Sequence, residues 1–130
     1  MDTSGKIGIL VVDDSVIVRH LLAILLMKYI RCEITEARDG LEAMEYVLRE
    51  PFDLVITDIN MPRMHGLALI QRIREEVGPS PPIIIVTTKG GERDREQGLR
   101  LGANGYVTKP VRGVKLIQVV TDLLSGERSG

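Results

Sequence analysis

Short apolar runs recur along this chain, and a segment with helical apolar spacing follows each one. Ile7 to Val12, Glu33 to Glu36, Leu54 to Thr57, Ile83 to Val86 and Tyr106 to Thr108 read as strands. The first is a run rich in β-branched residues, as expected for a strand buried on both faces, and the fourth is the most apolar segment of all. Between and after them the spacing predicts helices. One runs from an N-cap at Ser15 to about Tyr29, and one covers Leu41 to Leu48 after the Asp39-Gly40 turn. A third follows Met64-His65-Gly66 with Leu67, Leu69, Ile70 and Ile73 apolar, a fourth is Glu92 to Leu101, and the last is Val111 to Leu124. Pro51 and the loop Gly78-Pro79-Ser80-Pro81-Pro82 interrupt the pattern where prolines cannot donate to a ladder. Alternation of this kind argues for an α/β fold: a doubly wound, five-stranded parallel sheet covered by five helices.

A chain of 130 residues is one domain of ordinary size, and 44% hydrophobic content fills one core. Aromatics are only 3%, so that core must be aliphatic. The 17 basic and 18 acidic residues leave a net charge of -1, which supports neither nucleic-acid binding nor membrane binding. Cys32 is the single cysteine, so no intramolecular disulfide forms, and it reads as a structural residue in a reducing compartment. No apolar stretch has the length of a membrane span, and Met1 to Gly5 lacks the apolar core of a signal peptide. A cytoplasmic location is expected. The domain is expected to occupy residues 7–124, with tails at 1–6 and 125–130.

The chemistry lies where the strands end. Asp13-Asp14 end the first run, Asp58 follows the third, Thr87 the fourth and Lys109 the fifth. In a parallel sheet those ends gather on one edge, where ligands bind. Three carboxylates in one place repel each other unless a cation sits among them. A lysine and a threonine beside that cation complete a site for a phosphoryl group.

Val11-Val12-Asp13-Asp14-Ser15, Asp58-Ile59-Asn60-Met61-Pro62, Gly66, Val86-Thr87 and Tyr106-Val107-Thr108-Lys109-Pro110 together resemble the receiver domain of two-component response regulators. The resemblance covers Ile7 to about Leu124, and in size it is nearest the stand-alone chemotaxis-type members. It implies the flavodoxin-like strand order 2-1-3-4-5, the order of the chemotaxis members of this family. It implies Asp58 as the nucleophile that becomes an aspartyl phosphate. It also implies a Mg2+ ion bound directly by Asp14 and Asp58, mainly through water by Asp13, and by the Asn60 carbonyl. Lys109 would pair with Asp58 and then with the phosphoryl oxygens, aided by the restriction Pro110 places on the backbone; a cis peptide between these two is common in the family. Thr87 and the Thr88 amide would bind the phosphoryl group, while Thr87 and Tyr106 would act as the switch. Implied partners are a histidine kinase or phosphotransfer protein, and a downstream protein bound through the fourth helix, fifth strand and fifth helix. The chain would be a phosphorylation-controlled binding module rather than an enzyme on other substrates.

Two other readings remain open. The expected reading is a single-domain receiver; the alternative is the receiver part of a longer regulator with a DNA-binding or enzymatic output domain. A phosphohydrolase using an aspartyl phosphate places its nucleophile on the first strand, whereas the candidate here is on the third. Thr88 and Lys89 depart from the family pattern, which more often has alanine or glycine and then an acid. His20 and His65 have no motif around them and read as surface residues. Gly90-Gly91 reads as a turn, and Arg93, Arg95 and Arg100 alternate with acids as a solvated helix face. On a wheel for the first helix, Val18, Leu21, Leu22, Leu25 and Tyr29 form the core stripe. Val16, Ala23, Ile24 and Met27 lie largely on the other side, as tolerated surface residues or as a partner or self-association surface.

Overall fold

The computed structural model describes residues 5–61, 63–88 and 91–126. Pro62, Lys89 and Gly90 lie outside the described residues, as do 1–4 and 127–130 of the two expected tails. Ten elements alternate: β1 (Ile7–Val12), α1 (Val16–Tyr29), β2 (Cys32–Ala37), α2 (Gly40–Arg49), β3 (Leu54–Asp58), α3 (Gly66–Glu76), β4 (Ile83–Thr87), α4 (Glu92–Leu101), β5 (Gly105–Thr108) and α5 (Gly113–Leu124). The strands form one parallel sheet in the order β2-β1-β3-β4-β5, as the resemblance implied. Among the described residues no helix is long and apolar enough to cross a membrane.

Side chains alternate across the sheet and build two aliphatic layers. Leu10, Val12, Val55, Ile83 and Ile85 pack with Ala43, Met44 and Val47 of α2 and Leu69, Ile70 and Ile73 of α3. Ile9, Val11, Leu54, Ile56, Ile84 and Val86 pack on the other face with Leu22 and Leu26 of α1 and Leu116, Val119 and Val120 of α5. β3 and β4 are buried along their whole length, while β5 alternates buried and exposed as an edge strand does.

Helix ends follow the expected chemistry. Ser15 caps α1, its hydroxyl accepting from the Val18 amide at 3.2 Å, and Asp39 caps α2 by accepting from the Glu42 amide at 2.9 Å. α5 begins at Gly113 rather than Val111, because Arg112 keeps an extended backbone as its N-cap.

The core face of α1 needs correction. Leu22, Ala23 and Leu26 are buried and Val18 and Leu25 are partly buried, but Leu21 and Tyr29 are exposed. Ala23, placed outside the stripe by the wheel, is inside the protein. The helix is apolar nearly all round, so periodicity alone does not select a face. Docking against the sheet and α5 selects it, and Ile17, Leu21, Ile24 and Met27 are left in solvent.

Candidate functional site

β1 and β3 pair in parallel, with Val12 opposite Thr57, so both strands deliver their next residue to the same edge. Asp13 follows β1 and Asp58 ends β3. With Asp14 they bring carboxylate oxygens that all lie within 4.8 Å of one another. Asp13 is 1% exposed and Asp58 7%, whereas Asp14 faces solvent.

Each buried carboxylate is held from one side. The Asp13 amide donates to the Ala37 carbonyl, and Asp13 Oδ1 accepts from the Ser15 amide at 2.9 Å. Asp58 Oδ1 accepts from the Ile59 amide at 2.9 Å, and the Thr57 hydroxyl donates to the Asp58 carbonyl. The second oxygens face Lys109, whose Nζ lies 3.5 Å from Asp13 Oδ2 and 3.6 Å from Asp58 Oδ2. Lys109 is positioned by its own amide, which donates to the Thr87 carbonyl at 2.7 Å, and the peptide to Pro110 is cis.

Burial pushes the Asp13 carboxyl above the ordinary carboxylate range. The Ser15 amide opposes the rise, the Asp58 charge adds to it, Lys109 opposes it and Asp14 adds again. Burial likewise raises Asp58, against the Lys109 charge and the Ile59 amide and with a further push from Asp14. Lys109 therefore opposes the rise at both carboxyls, and burial, the largest cause, outweighs it.

The donor set suits a hard cation. Carboxylate oxygens are the ligands such ions take. Asp13 Oδ2 is a buried oxygen with no hydrogen-bond partner among the described residues, so it has an acceptor site to spare. Asn60, two residues beyond Asp58, is exposed.

The loop after β3 is pinned from below. The Gly66 amide donates to the Ile59 carbonyl at 2.7 Å, and a Cβ on Gly66 would meet the Asp58 carbonyl oxygen and stand 2.7 Å from Ile59 Cα. Only glycine permits that approach. Buried Asp39 pairs with Arg63 at 3.2 Å, and Arg63 adopts a φ of 68° in the same loop. At the other side of the site, Arg19 of α1 reaches back to the Asp13 carbonyl and to Glu36 of β2. Neither the Asp39–Arg63 pair nor Arg19 carried a motif in the sequence, because each contact depends on tertiary placement.

Thr87 is buried at the end of β4, with its hydroxyl 3.5 Å from the Val107 carbonyl, the long limit of a hydrogen bond. Tyr106 is 38% exposed on β5, and the Arg95 guanidinium lies 4.6 Å from its ring centroid. Arg95 is thus a partner of the tyrosine as well as part of a solvated helix face. A surface cavity of about 290 Å³ beside it is lined by Tyr106, Lys109, Pro110, Arg112 and Lys115 among others. Thr88 is exposed next to Thr87; the other expected departure, Lys89, lies outside the described residues. His20 sits 3.5 Å from Glu36 at the surface, and His65 caps α3 through Nδ1, which accepts from the Leu67 amide. Cys32 is buried, and burial raises its thiol.

The profile of the response regulator receiver domain matches residues 9–121. A chemotaxis protein CheY homologue from Campylobacter jejuni is 37% identical over 124 residues, spanning 94% of this chain and 95% of that protein. The transcriptional regulatory protein ResD of Bacillus subtilis is 36% identical over 124 residues, which are 95% of this chain but 50% of that protein. The solved structure of the chemotaxis response regulator CheY4 of Vibrio cholerae superposes with a TM-score of 0.83 at 28% identity, covering 91% of this chain and 98% of that one.

Proposed function

This chain belongs to the response regulator receiver family of two-component systems, and from that membership and its site geometry we propose that it accepts a phosphoryl group on Asp58. The observation that carries the reading is the convergence of Asp13, Asp14 and Asp58 within 4.8 Å, with Lys109 Nζ 3.6 Å from Asp58. The donor is a phosphohistidine of a sensor kinase or phosphotransfer protein. An Asp58 oxygen bonds to phosphorus as the phosphorus–nitrogen bond breaks. With its other ring nitrogen protonated, the imidazole keeps the electron pair of the broken bond and leaves neutral. The chain performs this step on itself and turns over no other substrate.

Asp13, Asp14, Asp58 and the Asn60 carbonyl would hold a Mg2+ ion, Asp13 mainly through water. When bound, the ion offsets the charge of the phosphoryl oxygens. Lys109 pairs with those oxygens from the side it already occupies. The Thr87 hydroxyl leaves its long contact with the Val107 carbonyl to donate to one of them, and the Thr88 amide serves another. Tyr106 then turns inward, away from Arg95, and changes the surface that α4, β5 and α5 present to a downstream protein. We assign the receiver unit to residues 7–124 and its location to the cytoplasm.

A small acyl phosphate with Mg2+ tests the reading. The parent is expected to label and Asp58→Asn to remain unlabelled, because the amide keeps the shape and lacks the nucleophile. Equal labelling of both would remove Asp58 from the mechanism. ResD, half of which matches this chain, supports a second reading in which the receiver is the front part of a longer regulator. A reading frame continuing past Gly130 into an output domain would establish it.

A further inference from the structure

We propose that Arg19 is a positioning residue for the metal-binding carboxylates, acting as a clamp on the backbone of Asp13 with Glu36 as its counter-ion. The proposal rests on the Mg2+ reading above. The strand ladder of β1 ends where Val12 faces Ala37 on one side and Thr57 on the other. The Asp13 carbonyl lies just beyond that ladder. Arg19 Nη1 donates to it at 2.6 Å, and Arg19 Nε donates to Glu36 Oε1 at 3.0 Å. The side chain is only 12% exposed.

Asp13 is thereby held at three points: its amide on Ala37, its Oδ1 on the Ser15 amide, and its carbonyl on the guanidinium. The remaining polar atom is Oδ2, which is buried, has no hydrogen-bond partner among the described residues and faces Lys109. Fixing the other three atoms directs that oxygen into the acidic cluster. A bond from a charged donor at this distance is of the strong kind. The planar fork engages two acceptors at once, one just past the end of β1 and one on β2, which a lysine ammonium does not reproduce. Glu36 has a second task. A bare guanidinium near three carboxylates would compete electrostatically with a metal ion, and the Glu36 charge cancels that effect.

Two consequences of losing Arg19 oppose each other, which makes the proposal testable. Removing a positive charge beside a cation site should tighten metal binding; releasing Asp13 should weaken it. The clamp predicts that weakening wins. Groups that orient metal ligands are typically worth about 10–100-fold in affinity, and a loss near the lower end, about 10-fold, is expected for Arg19→Ala. Arg19→Lys keeps the charge but not the fork and should recover little. Glu36→Gln keeps an acceptor but leaves the guanidinium charge uncompensated, so its smaller loss should shrink as salt is added.

The experiment is a Mg2+ titration of the unphosphorylated chain by calorimetry, with the Ser15 amide shift followed by NMR and thermal stability measured alongside. A role confined to tethering α1 would lower the melting temperature in Arg19→Ala and leave Mg2+ affinity and the Ser15 shift as in the parent, which would overturn the proposal. Affinity that rises in Arg19→Ala would overturn it too. Should Arg19→Ala fail to fold, Arg19→Lys decides: parent-like affinity refutes the clamp, and weakened affinity supports it. A parent that binds no Mg2+ would sink the metal reading and the clamp together. A parent that binds, with variants that bind equally well, would sink the clamp alone.

Discussion

Replacing Asp13 by asparagine should make the metal-free protein more stable, and the structure sets the size of the gain. Asp13 lies within 4.8 Å of both other carboxylates and 3.5 Å from Lys109. Two unit charges 4.8 Å apart interact by about 0.9 kcal/mol with water-like screening and about 3.5 kcal/mol at an effective dielectric constant of about 20. The attraction to Lys109 is worth about 1.2 and about 4.7 kcal/mol under the same two conditions. The two repulsions therefore exceed the one attraction by about 0.5 to 2 kcal/mol, and relief of desolvation adds to this. Asparagine keeps Oδ1 for the Ser15 amide and replaces the charged Oδ2 by a neutral N–H that faces Lys109 Nζ, which offsets part of the gain. For a chain of this length the gain corresponds to a rise of about 2–8 °C in melting temperature.

The pH dependence fixes the sign. The folded-state pKa of Asp13 is raised by burial first. Between the ordinary carboxylate value and that raised value, the folded chain binds more protons than the unfolded one, so parental stability falls as pH rises through the window. The advantage of Asp13→Asn should therefore be absent below the window, grow across it and level off above it. Thermal melts in chelator over a pH series measure this. Added Mg2+ should raise the parent by mass action, about 2.7 kcal/mol at a hundred times its Kd, and raise the variant less. An advantage that is absent at neutral pH, or that shrinks with rising pH, would refute the account of the cluster as a repulsive site held in wait for a cation.

Thr87→Ala should still label on Asp58, but NMR shifts of β5 around Tyr106 should respond weakly to a phosphoryl mimic, because the hydroxyl proposed to carry the signal is gone; a full response in the variant would refute the coupling. Thr88→Ala and Lys89→Glu should each speed hydrolysis of the proposed aspartyl phosphate, one by removing bulk next to Thr87 and one by exchanging a positive charge in the sequence for a negative one. Phosphate decay no faster in either variant would refute a protective role for these two positions.

The parts of this molecule differ in how legible they are from sequence, and the difference is physical. Strand ends were legible because a β-branched run has a defined direction and a parallel sheet sends every C-terminal end to one edge; Asp13, Asp58, Thr87 and Lys109 needed no further information to be brought together. The face of α1 was not, because a helix with apolar residues on all sides carries little angular contrast. Leu21 points into solvent while Ala23 is buried, and neighbours such as α5, whose Gly113 comes close to Leu25, decide that choice.

Arginines are the extreme case. Arg74 brackets the far end of the fold by donating to the Gly78 and Gly102 carbonyls and to Asn104, and burial lowers its pKa. Arg63 grips Asp39, and Arg19 grips Asp13 and Glu36. A guanidinium on a long stem reaches acceptors many residues away, so its partners leave no periodic trace. Apolar pattern places the reacting oxygens on strand ends, but it does not set where they point. Orientation is governed by contacts to which periodicity is blind. Relatives that keep every strand-end acid while changing the residue at position 19 or 36 should therefore retain the fold and differ in metal affinity. Pattern matching alone would not foresee that divergence.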